Sequence, residues 1–188
     1  PEGIKMAPVV QELRRHPDWF ETIVVSTGQH REQLDQVFAA FGLAAEHDLA
    51  IMQPRQTLTD IMVRALSGLD GLLARERPDL VLVHGDTSTT AAGALAAFYH
   101  KIPLGHVEAG LRTFQKYNPY PEEINRRIAG IIADIQFAPT PRAREHLISE
   151  HIDPDTIFVT GQTGVDAALA VLSQPHTFSV PALRQVDF

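Results

Sequence analysis

Four carboxylates, Asp86, Glu108, Glu122 and Glu123, fall within three short stretches, HGDTSTT, HVEAGLRT and PYPEEINRR, where acids alternate with Gly, Thr and Arg. Carboxylates transfer protons, and a Gly turn followed by helix-start amides receives an anion. The pattern points to a site that takes an anionic, phosphorylated ligand and moves protons on it. In the first stretch Gly85 permits a tight turn after an apolar run, and Thr87, Ser88 or Thr89 can cap the next helix. Asp86 reads either as a catalytic acid or as that helix's N-cap. In the second, Glu108 ends an apolar strand beside Val107 and Ala109, so its carboxylate requires a partner, for which Arg112 is a candidate. A purely structural ion pair meets that requirement equally. The third stretch opens a helix at Pro121, with two acids in its first turn and Arg126 and Arg127 a turn later, a pattern that by itself serves helix stability. Several carboxylates in one cleft raise the pKa of at least one of them, which keeps a proton donor beside an acceptor.

The elements that must carry these stretches alternate strand and helix. Residues 4–15 have helical apolar spacing in spite of Pro8, FETIVVSTGQH reads as a strand, and HREQLDQVFAAFG reads as an amphipathic helix stopped by Gly42. A short apolar segment around Leu49 to Met52 precedes a long helix from Thr57 to Ala74. PDLVLVHGD is a continuous apolar run, the mark of a strand buried on both faces, with the small-residue helix TSTTAAGALAAFYH behind it. IPLGHVEAG, DIQFAPT and TIFVTG supply further strands, followed by the helices PEEINRRIAGIIA, PRAREHLISEH and TGVDAALAVL. This alternation specifies an α/β fold, a Rossmann-like doubly wound parallel sheet with ligands at the carboxyl ends of its strands. Such a sheet begins with a strand feeding its first helix, so a first strand is expected to be missing ahead of Pro1. Residues 1–165 are assigned to this domain, and 166–188 to a linker helix and tail.

Composition removes several classes of function. With 16 basic against 23 acidic residues and a net charge of −7, the chain lacks the basic face that nucleic acid requires. The absence of cysteine excludes disulfides, thiolate catalysis and Cys-based zinc sites, and it fits a cytoplasmic protein. The nine histidines are scattered, so no metal is expected. No apolar run reaches the length of a membrane span and no leader is visible, so no membrane association is expected.

The series PEGIKMAPVV, TGQHREQLDQ, PRQTLTDI, HGDTSTT, GHVEAGLRT, YPEEINRR and VTGQTGVDA, in this order from Pro1 to around Ala170, resembles the non-hydrolysing UDP-N-acetylglucosamine 2-epimerases. The resemblance implies a GT-B type fold of two Rossmann-like domains with the nucleotide sugar between them. This chain is similar to the N-terminal half, which is expected to be inactive alone because most uridine and diphosphate contacts come from the second domain. It also implies an Arg just ahead of Pro1. The implied activity is interconversion of UDP-N-acetylglucosamine and UDP-N-acetylmannosamine, by elimination of UDP to 2-acetamidoglucal and its re-addition, without a cofactor. By resemblance, Asp86, Glu108 and Glu122 match the catalytic acids, and Lys5 and Arg126, with Asp86 and Glu108, match substrate contacts. Gln29, Arg55 and Gln56 match the lining of a second UDP-N-acetylglucosamine site that activates bacterial members. The family also implies a homodimer, although Ile128, Ile131 and Ile132 on the apolar helix face serve equally as core. Alternatives are the hydrolysing relative that releases free N-acetylmannosamine, a non-catalytic nucleotide-sugar-binding module, and a GT-B glycosyltransferase.

Overall fold

The structure is a computed structural model and describes residues 2–28 and 31–173. Among the described residues six strands are all in parallel pairings: β1 (Val25–Ser26) with β2 (His47–Asp48), and β3 (Val81–His84), β4 (Leu104–Val107), β5 (Ile135–Ala138) and β6 (Ile157–Val159) in sequential order. The parallel α/β architecture expected from the alternation is present, and hydrogen bonding divides its strands between a two-stranded and a four-stranded sheet. Of the β-branched run before Gly28 only Val25 and Ser26 form ladder pairs, because their partner β2 is equally short. β4, flanked by β3 and β5, is buried at each of its positions, as a central parallel strand must be.

The helices begin and end where local chemistry directs. α1 (Glu2–Arg14) tolerates Pro8 within it, and α2 (Arg31–Phe41) stops at Gly42, whose φ is 62°. α3 (Leu58–Glu76) opens on a reciprocal capping box between Thr57 and Asp60, which satisfies two backbone donors at once. Small residues let α4 (Ser88–Tyr99) lie between α3 and α5 (Glu122–Ile132). On α4, Ala91, Ala92, Ala94, Ala96 and Ala97 are buried, and a Cβ on Gly93 would stand 2.9 Å from Val83 Cγ1. A second core region joins Ala109, Ala138 and Ile157 to Ala143 and Leu147 of α6 (Pro141–Ser149). α7 (Thr163–Leu172) folds back on α1, where Ala167 packs with Ala7 and Phe41. Residue 165, after which a linker helix and tail are expected, lies within α7. Among the described residues no helix is long and apolar enough to cross a membrane.

Gly110 shows how tightly the carboxyl edge is packed: its φ is 84° and a Cβ there would lie 2.2 Å from the Ala143 carbonyl oxygen. Gly42 has a similar φ of 62° and nothing within 4 Å. In urea denaturation of the full-length protein, Gly42→Ala should cost about 1–2 kcal/mol for the left-handed backbone alone. Gly110→Ala, which adds the collision, should cost roughly 2–4 kcal/mol. Equal losses would remove the packing argument.

Candidate functional site

Glu108 sits where β4 gives way to loop, in the left-handed region with φ 64°. Its side chain is 9% exposed, and Oε1 receives Lys5 Nζ from α1 at 2.5 Å. The same oxygen accepts a hydrogen bond from Gln162 Nε2, on the residue that precedes α7. Burial by itself would raise this carboxyl group, but the hydrogen bonds from Lys5 and Gln162 outweigh it and hold Glu108 below the usual carboxylate range. Glu108 is thus an anion at neutral pH with Oε1 saturated. Oε2 lies 3.7 Å from His84 Nε2.

Asp86 follows the β3 turn. Gly85, φ 66°, donates its N–H to Val107 O at 2.9 Å and accepts His106 Nε2 at 2.7 Å, so the peptide that carries Asp86 is held from both sides. Thr87 is the N-cap of α4, which frees the Asp86 side chain from capping. Its Oδ2 accepts a hydrogen bond from Arg126 Nη2. Burial raises the Asp86 carboxyl; the Arg126 ion pair opposes this, and the charges of Glu108 and Glu122 add to it. Two acids distant along the chain, Glu108 and Glu122, thus act on Asp86. The helix start expected to favour a ligand anion is met by Glu2, whose Oε1 accepts the hydroxyls of Thr87 at 2.6 Å and Thr90 at 3.3 Å.

Glu122 and Glu123 part company. Glu122 is half-buried, and its carboxylate makes no hydrogen bond or ion pair with another described residue, while its charge acts on Asp86. Glu123 is fully buried beneath the loop that follows Arg112. Arg112 is not the partner of Glu108: its Nε and Nη2 hold Glu150 at 2.9 and 2.8 Å, because Glu150 closes α6 over the same loop. Of the effector candidates, Gln29 lies outside the described residues. Arg55 is exposed with φ 58°, and Gln56 bonds locally to Gln53 N at 2.9 Å, with no bond to the acid cluster. Sequence reasoning assigned no role to Gln162 or Glu2, and to His84 only a structural or supporting one. Gln162 and Glu2 lay within the quoted motifs, but their partners are more than fifty residues away in sequence. Among the described residues no cluster of three or more His, Asp or Glu side chains is placed to hold a metal ion.

Parallel strands, turns that present acids at their carboxyl edge and cations paired to those acids define an α/β ligand-binding domain. The profile of the family described as UDP-N-acetylglucosamine 2-epimerase matches residues 11–185. A protein from Thermotoga maritima named as a putative UDP-N-acetylglucosamine 2-epimerase is 53% identical over 188 residues, which are 100% of this chain and 49% of that protein. The UDP-N-acetylglucosamine 2-epimerase of Bacillus subtilis is 53% identical over 186 residues, 99% of this chain and 48% of its own length. The crystal structure of the Neisseria meningitidis UDP-GlcNAc 2-epimerase bound to UDP-GlcNAc superposes with a TM-score of 0.89 at 50% identity, covering 92% of this chain and 46% of that one. The chain belongs to the UDP-N-acetylglucosamine 2-epimerase family. It spans about half the length of the curated relatives it matches.

His84 and His106 lie directly behind the acids. Burial is the largest cause that pushes each imidazole down, from 6.5 to about 4. Both are neutral when folded, whereas the unfolded chain protonates them as pH falls through 6.5, so their contribution to stability is complete above that value. It is lost between 6.5 and about 4. The stability of the full-length protein should fall by on the order of a few kcal/mol across that window. Nitrogen-detected NMR should show neither ring charged at pH 6, and a charged ring there would contradict this assignment.

Proposed function

We propose that this chain supplies the catalytic acids of an enzyme that inverts carbon 2 of UDP-N-acetylglucosamine, giving UDP-N-acetylmannosamine and the reverse, without net hydrolysis. The observation that carries the proposal is the placing of Asp86 and Glu108 just past the ends of the paired strands β3 and β4, each ion-paired to a cation, with Glu122 on the helix that supplies Arg126. Epimerisation at a carbon that bears hydrogen requires a proton removed from one face and returned to the other. A carboxylate takes the proton from C2 as the C1–O bond to UDP breaks, leaving a C1=C2 double bond in 2-acetamidoglucal. UDP then re-adds at C1 while an acid protonates C2 from the opposite face. Each acid or base contributes roughly 10²–10⁴ in rate.

The cations fit the same chemistry. Lys5 on Glu108 and Arg126 on Asp86 offset two of the acids, so a diphosphate approaches paired charges rather than bare carboxylates. The family name, relatives at 53% identity and a neighbour solved with UDP-GlcNAc support the substrate. We extend the proposal to a homodimer in the cytoplasm and to an effector site for a second UDP-N-acetylglucosamine at Arg55 and Gln56, of which Arg55 is exposed.

In the full-length protein, Asp86→Asn and Glu122→Gln should each lower kcat by roughly 10²–10⁴ with little change in KM. Near-normal turnover in both variants sinks their catalytic role. Product analysis by NMR should find UDP-N-acetylmannosamine at equilibrium with substrate. Free N-acetylmannosamine accumulating with each turnover would instead assign the hydrolysing reaction.

A further inference from the structure

Glu123 reads in sequence as a helix-start acid, yet it is fully buried, at 0% exposure. Its two oxygens accept the backbone N–H groups of Thr113 at 3.0 Å and Phe114 at 3.1 Å, which fixes the carboxylate in place. Its Oε2 also lies 3.6 Å from Arg126 Nη1. The other terminal nitrogen of that guanidinium, Nη2, donates to Asp86 Oδ2. Arg126 is itself 9% exposed. A guanidinium is a rigid planar fork, so a charge that fixes one prong orients the other.

We propose that Glu123 is a positioning residue, which holds the Arg126 fork between two carboxylates and so aims Asp86 at the reacting carbon. This rests on the reading of Asp86 as a catalytic acid. One cation serves two acids, so Asp86 receives only part of the charge of Arg126 and stays available to exchange a proton. Asp86 is faced by Arg126 and Glu122 from α5, by Glu108 from the end of β4 and by Glu2 from α1, and Arg126 is faced by Asp86 and Glu123. Thr113 and Phe114 open the loop that leads to α5, so the same carboxylate ties the start of that loop to the acid site.

The test uses the full-length protein with carbon-13 at aspartate carboxyl groups, Asp86 being assigned by the resonance lost in Asp86→Asn. In Glu123→Gln the whole charge of Arg126 falls on Asp86, and its titration midpoint should drop by roughly half a unit to one unit. The acid limb of the kcat profile should move with it. Arg127→Gln, whose guanidinium pairs with Glu150 at 3.3 Å, should leave the midpoint in place. A midpoint in Glu123→Gln that is unchanged or higher overturns the proposal. A second measurement needs no variant: at pH 7 the Nη protons of Arg126 should give separate, slowly exchanging resonances, and a single averaged line overturns it too. Normal turnover in Asp86→Asn, with the midpoint still displaced in Glu123→Gln, removes the catalytic reading and leaves the role of Glu123 standing.

Discussion

A carboxylate at the end of a strand buried on both faces has to be paired, and the pairing of Glu108 with Lys5 organises this domain. It draws the first turns of α1 to the carboxyl end of β4, and Gln162 brings the start of α7 to the same oxygen. Three elements far apart in sequence thus meet on one charge. α1 and α7 then share an apolar contact through Ala7 and Ala167, so the ion pair and a small core reinforce one another.

Charge balance at this edge is kept by position rather than by number. Of Glu2, Asp86, Glu108 and Glu122, two are met directly by cations among the described residues, Glu108 by Lys5 and Asp86 by Arg126. Two devices make up the difference. Hydroxyl groups of Thr87 and Thr90 serve Glu2 at the start of α4, and buried imidazoles provide polar surroundings without charge. His106 is bonded through Nε2 to the Gly85 carbonyl at 2.7 Å, so it shapes the Asp86 turn without adding to the field there. A protonated imidazole at that depth would carry the full cost of desolvation, which explains why the neutral form persists.

Most of the fold was legible from local signals. The apolar run before Gly85 became β3, Gly42 ended α2, and the long helix expected from Thr57 became α3, because each of these outcomes depends on residues within a few positions. What was not legible depended on partners distant in sequence. Arg112 was the nearest cation to Glu108 along the chain, yet Glu150 captured it from α6 and Lys5 took its place from 103 residues away. The weak pairing of β1 with β2 was equally hidden, since a β-branched run reports its preference for strand and not the length of its partner.

The two glutamates of α5 are the sharpest case. Consecutive helical residues point about 100° apart, so identical side chains in the first turn enter different surroundings. Glu122 has no ion-pair partner among the described residues and acts on Asp86, whereas Glu123 turns under the loop and accepts backbone donors on both oxygens. Helix propensity and the macrodipole favour an acid at both positions equally and cannot rank them. The ranking comes from what lies opposite each one: Asp86 and its neighbours for Glu122, and two backbone donors for Glu123. A fully buried carboxylate without donors is costly, so Glu123 depends on the loop's two N–H groups, and Arg126 stands between it and the acid that the proposed chemistry uses.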